Sequence, residues 1–116
     1  MLVYETKVGE YFKTNKVVHS FLQEVDEKIC AYYDAKLPNL SHPTFKIELG
    51  NKFIKIWMDW SCWGFISRID GDLKGSPIRK GDLLKPASHK APARHARGNI
   101  VDGTAKWGVY GPEYIK

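Results

Sequence analysis

Apolar side chains recur at helical spacing between Thr14 and Lys36. Val18, Phe21, Leu22, Val25, Ile29 and Tyr32 form one stripe, while Gln23, Glu24, Asp26, Glu27 and Lys28 lie mostly on the other side. The pattern predicts a surface helix packed on a sheet. Thr14 or Asn15 supplies a side-chain oxygen for the N-cap. Pro38 stops the helix after Leu37, because a residue before proline is driven out of helical angles.

After the loop from Pro38 to Pro43 the period falls to two. Phe45, Ile47 and Leu49 alternate with Lys46 and Glu48. Gly50-Asn51 is a turn pair that tolerates positive φ. Ile54, Ile56 and Met58 then face one side, with Phe53, Lys55 and Trp57 on the other, so the segment reads as a β-hairpin. Asp59-Trp60-Ser61 makes a second turn. Cys62 to Ile69 makes a third strand, with Gly64 marking a bulge or a close approach.

The stretch from Asp70 to Asp82 is rich in Gly, Asp and Lys and reads as a loop. A short fourth strand follows around Asp82 to Lys85. Pro86 and Pro92 exclude a long helix, and Ala93 to Ala96 has room for one short turn ended by Gly98. Trp107, Val109, Tyr110, Tyr114 and Ile115 make the tail too apolar to hang free, so it folds back. The expected architecture is α+β in a single domain over residues 1–116. One N-terminal helix covers an antiparallel sheet of three to four strands, with an irregular basic loop.

Composition narrows the class. A chain of 116 residues with 43% hydrophobic and 13% aromatic residues has the material for one modest core. The longest apolar runs fall far short of the ~20 residues that span a bilayer. The N-terminus lacks the basic and apolar regions of a signal peptide. Cys30 and Cys62 are too few for a disulfide scaffold and read as free thiols in a reducing cytoplasm, a single bridge being the alternative.

The net charge of +5 is not spread evenly. From Met1 to Trp60 eight lysines balance eight acids, and from Ser61 to Lys116 ten basic residues face five acids. Lys74, Arg79, Lys80, Lys85, Lys90, Arg94 and Arg97 crowd one stretch in which Asp82 is the lone acid. A basic segment broken by Gly and Pro suits phosphate contacts, which bind by releasing counterions. Trp57, Trp60 and Trp63 lie nearby in sequence, and exposed aromatics beside such a segment would stack on bases. The competing reading buries the tryptophans as core.

Enzyme chemistry is thin. His42, Cys62, His89 and His95 lack the spacing of a zinc site, so no metal and no cofactor is expected. Ser88-His89-Lys90 is not a triad, whose members come from distant segments. Asp59, Asp70, Asp72 and Asp82 suit turns better than paired acid–base work. The chain is therefore expected to be no enzyme, with a weaker third idea of chemistry around His89 and His95.

One block resembles a set of small bacteriophage proteins. The matching residues are Phe65 and Ile66, then Gly81, Asp82, Lys85, Ala87, Ser88, Lys90, Ala91, Pro92 and Ala93, then Arg97, Gly98, Asn99 and Ile100. The sequence departs from that pattern at His89, where an aromatic is common, and in an expanded loop from Asp70 to Lys80. The resemblance implies a viral accessory product and carries over no catalytic residue. Independently of it, Ala87, Ala91 and Ala93 with Pro86 and Pro92 favour an extended segment against the sheet, with Lys85, Lys90, Arg94 and Arg97 outward. Two roles follow for a monomer or small homo-oligomer in a host cytoplasm. One binds DNA or RNA through the basic loop. The other binds a host protein, as an inhibitor of a host enzyme or defence complex of the anti-CRISPR type.

Overall fold

One residue splits the helical region in two. Asn15, at φ −133° and ψ 60°, leaves helical space between α1 (Thr6–Thr14) and α2 (Lys16–Lys36). Its side chain does not cap α2 as expected. Nδ2 instead donates to the Tyr11 carbonyl at 2.8 Å, closing the end of α1, while its own carbonyl accepts from Val18 N–H. α1 is an addition to the single expected helix. It buries only Val8 and Phe12 and carries Gly9 in its middle, so its apolar stripe is too short to stand out. α2 ends as predicted at Leu37, whose N–H donates to the Tyr33 carbonyl at 2.8 Å before Pro38.

The computed structural model describes residues 1–88 and 90–113. Its strands are β1 (Leu2–Val3), β2 (Phe45–Leu49), β3 (Phe53–Met58), β4 (Ser61–Ser67), β5 (Gly71–Leu73), β6 (Ser76–Ile78), β7 (Asp82–Ser88), β8 (Ala91–Asn99), β9 (Trp107–Gly108) and β10 (Gly111–Pro112). The main sheet has six strands in the order β1-β2-β3-β4-β7-β8, with β1 parallel to β2 and the other pairs antiparallel. β5–β6 and β9–β10 form two further small sheets. The expected single helix on three or four antiparallel strands is thus corrected to two helices on a six-stranded mixed sheet. The fold is mostly sheet.

The extra strands come from the segments read as loop. The Asp70–Asp82 stretch holds the β5–β6 hairpin, turned by Lys74 and Gly75 at positive φ. The segment after Pro86 runs on into β8 rather than a helical turn. Proline survives in β8 because β8 is an edge strand, where a missing N–H breaks no second ladder. The tail folds back as β9–β10. Tyr114, Ile115 and His89 lie outside the described residues.

The core lies between sheet and helices. Phe45, Ile47, Ile54, Ile56, Ile66 and Leu83 project to one face and meet Val18, Phe21, Leu22, Val25 and Ile29 of α2. Trp63 joins them through a bulge. The register slips between Ile56↔Gly64 and Trp57↔Cys62, and the extra residue is Trp63. Its ring meets Phe45 and Trp107 edge-on, and Nε1–H donates to the Val109 carbonyl at 3.1 Å. On the far face Phe65, Leu84 and Ile78 are buried outside that cluster.

Among the described residues no helix is long and apolar enough to cross a membrane.

Candidate functional site

Pro86 opens the site. It offers no N–H, and the β4–β7 ladder runs only through Phe65↔Leu84 and Ile66↔Leu83. Beyond Leu84 the two strands part. From the helix side the β9–β10 hairpin fills the gap: Pro112 presses on Gly64, and Lys85 Nζ donates to the Pro112 carbonyl at 2.9 Å. A Cβ on Gly64 would stand 2.9 Å from Pro112 Cγ, so glycine is what lets the hairpin in. From the other side the gap stays open as a cleft of about 490 Å³, lined by Trp57, Trp60, Ser61, Cys62, Pro86 and Ser88.

The cleft has two aromatic walls of different kinds. Trp57 is half-buried on β3, under the Lys55 ammonium at 4.1 Å from its ring centroid. Trp60 is 96% exposed on the β3–β4 turn. That turn is held from outside itself. Asp59 sits at φ 52°; its N–H donates to the Thr44 carbonyl at 2.8 Å and its Oδ1 accepts from Thr44 N–H at 2.9 Å. The indole is therefore presented to water from a pinned backbone. Lys90 is exposed on the adjoining β7–β8 turn, its N–H donating to Ser88 Oγ at 3.1 Å.

The Cys62 thiol in the cleft is pushed up by burial, only partly offset by Lys55. A protonated thiol is a poor nucleophile. Cys30 is likewise raised, by burial and then by Asp26, and both cysteines are free thiols. Asp59, Asp70, Asp72 and Asp82 each accept a backbone N–H, Asp72 and Asp82 from a residue three positions away. Among the described residues no three His, Cys, Asp or Glu side chains gather as a metal site.

The basic stretch is divided by the fold. Lys90 stands at the tryptophan end of the sheet. Lys80 and Arg79 stand at the other end, separated by the seven residues of β7, a distance of roughly 20 Å. Arg79 pairs with Asp102 at 3.1 Å. Lys74 and Arg94 come together between: Arg94 Nη1 donates to the Lys74 carbonyl at 3.5 Å, and Ser76 Oγ lies 3.4 Å from His95 Nδ1. Lys85 turns inward to Pro112, and Arg97 is half-buried with Nη1 donating to the His95 carbonyl. Trp63 is core. Of the residues the sequence picked out for binding, the cleft keeps Trp57 and Trp60, with Lys90 on the turn that follows Ser88. It adds Lys55, Pro86 and Cys62, which charge density and aromatic count did not flag. The proline directly after the expected strand of Asp82 to Lys85 was the available signal.

The block around Gly81-Asp82 and Gly98-Asn99 also gains a physical meaning. Asp82 and Asn99 are register partners across β7 and β8, and both are buried. Gly81 and Gly98 take φ of 92° and 91°, and a Cβ on Gly98 would meet the Thr104 carbonyl oxygen at 2.0 Å. These residues close the sheet at the end away from the tryptophans.

Residues 4–110 match the model of a family described only as being of unknown function, DUF7717. No curated protein and no solved structure matches the chain.

Proposed function

The chain belongs to that family of unknown function, DUF7717, and from its geometry we propose a non-enzymatic accessory protein that binds single-stranded nucleic acid. The observation that carries the reading is the cleft of Trp57 and Trp60, whose lining residue Ser88 accepts the Lys90 backbone N–H. An indole held in water by a pinned turn gains most by stacking on a flat partner, and a base offers a face whatever its sequence. Lys90, with Lys74 and Arg94 further along the β8 side, supplies charge for a phosphate backbone. The likeness of the second half to small bacteriophage proteins supports a phage-encoded product working in the host cytoplasm.

Anisotropy of labelled single-stranded DNA and RNA oligonucleotides tests this. Binding should fall steeply as salt rises. Trp60→Ala should weaken it by about tenfold or more, and Lys90→Glu should weaken it and flatten the salt slope. No binding of either oligonucleotide at low salt overturns the proposal.

A specific observation favours a second reading, a protein-binding inhibitor of a host enzyme or defence complex. Tyr110 is 79% exposed. The Tyr33 phenol is raised by burial and then by Tyr110 and Asp59. Trp60 and Tyr110 are both exposed, and exposed Trp and Tyr are hot-spot chemistry. A pull-down from host lysate after nuclease treatment separates the two. A protein retained by the native chain and lost with Trp60→Ala, in the absence of oligonucleotide binding, selects the second.

A further inference from the structure

A second cleft, of about 550 Å³, lies at the opposite end of the sheet, where the α1–α2 junction faces Gly81 and Val101. Its floor is apolar: Tyr11, Val17 and Val18 from the helices and Val101 from the loop after β8. Val17 and Val101 are 49% and 64% exposed, so apolar surface is left open here. Lys13, Lys16 and Lys80 line the same cleft, and no Asp or Glu does. Three acids of the adjoining segments are already engaged. Glu10 holds Lys13 at 3.1 Å, Asp70 accepts the Lys80 backbone N–H, and Asp102 holds Arg79. The ammonium groups of Lys16 and Lys80 enter no ion pair among the described residues.

The Ser67 hydroxyl and the Asn15 amide nitrogen in this cleft are already engaged. Ser67 Oγ donates to the Ile69 carbonyl and accepts from Ile69 N–H. Asn15 Nδ2 donates to Tyr11 and Thr14. With those groups engaged, a nucleobase bound here would leave part of its hydrogen-bonding edge unpaired, which costs affinity. A molecule with an apolar body and one anionic group meets no such penalty: its body covers Val17, Val18 and Val101, and its charge meets Lys16 and Lys80. The volume lies within the range of small-ligand pockets.

We propose that this cleft binds a small amphipathic anion, an aliphatic or aryl carboxylate, between the α1–α2 junction and the Gly81–Val101 edge. Charge complementarity with the lysines selects the anion, and the exposed Val17 and Val101 select the apolar body.

The test is a titration of the full chain, followed by amide and methyl NMR, with three probes: decanoate, decanol and inorganic phosphate. Decanoate should shift Val17, Val18 and Val101 saturably. Decanol, with the body but no charge, should bind at least tenfold more weakly, and phosphate should leave these signals unmoved. The double variant Lys16→Gln with Lys80→Gln should weaken decanoate by at least tenfold and leave decanol unchanged. Both positions are exposed, so the variant should keep its fold, and an unchanged amide spectrum elsewhere checks this. Equal binding of decanoate and decanol overturns the proposal, as does decanoate binding that the double variant leaves intact, or no shift at Val17 and Val101.

Discussion

Asn99 Nδ2 donates to Asp82 Oδ1 at 2.9 Å, with the two residues only 3% and 4% exposed. The same amide donates to the Lys80 carbonyl at 3.0 Å and accepts Val101 N–H on Oδ1 at 2.7 Å. The Asp82 carboxylate also accepts Arg79 N–H at 2.7 Å. One side-chain amide thereby ties three chain segments together around a buried carboxylate. This explains why a GD pair and a GN pair, far apart in sequence, belong to one structural unit.

Replacing Asn99 should therefore cost more than a lost contact. Asn99→Ala leaves the buried Asp82 carboxylate short of a donor and strands the Lys80 carbonyl and Val101 N–H. A buried polar group left unpaired costs about 1–3 kcal/mol, more when charged. Urea denaturation should show a loss of at least about 2 kcal/mol by that measure. The double variant Asp82→Ala with Asn99→Ala should lose less than the two single losses added, because the pair is coupled.

Gly64 and Pro112 make a second coupled pair. Gly64→Ala places a methyl 2.9 Å from Pro112 Cγ and 3.2 Å from the Leu84 carbonyl oxygen. Overpacking of this kind costs about 1–3 kcal/mol. Pro112→Ala on the Gly64→Ala background should recover part of that loss, since it removes the ring the new methyl meets. Full additivity in a denaturation cycle would show that the hairpin does not rest on Gly64.

Much of this fold was legible where periodicity and breakers agreed. The stripe from Val18 to Ile29 with Pro38 after it, and the alternation of Phe45 to Leu49 and Ile54 to Met58 around Gly50-Asn51, became α2, β2 and β3. Gly64 marked both a bulge and a close approach. What was missed has physical causes. α1 is two and a half turns with two buried residues and a glycine, too little stripe to register. β8 alternates poorly because its register slips against β7 at several points, and its proline is tolerated only at an edge. A composition count treats Lys74 to Arg97 as one patch, but a hairpin and a seven-residue strand divide it.

The tryptophans should separate cleanly by substitution. Trp63 is 2% exposed among core rings, and Trp63→Ala should cost about 3–5 kcal/mol. Trp60 is 96% exposed, and Trp60→Ala should change stability by no more than about 0.5 kcal/mol. Thermal or urea melts of the two variants measure this. The same Trp60→Ala protein then serves as a folded control for the binding experiments, because any loss it shows there cannot be charged to unfolding.

Asp102 supplies a pH-dependent prediction. Its carboxyl is held below the usual carboxylate range, first by hydrogen bonds from Thr104 and then by Arg79. The folded state thus favours the ionised form. The stability this provides is fully present above the ordinary value of about 4 and is lost as pH falls through the lower folded value. Following the Asp102 carboxyl carbon by NMR through an acid titration should show a midpoint below that ordinary value. Thr104→Val should raise the midpoint more than Arg79→Ala, because the hydroxyl and the guanidinium act in that order. A larger rise from Arg79→Ala would mean that charge rather than hydrogen bonding holds the group down. A midpoint unmoved by either variant would mean that neither contact persists in solution.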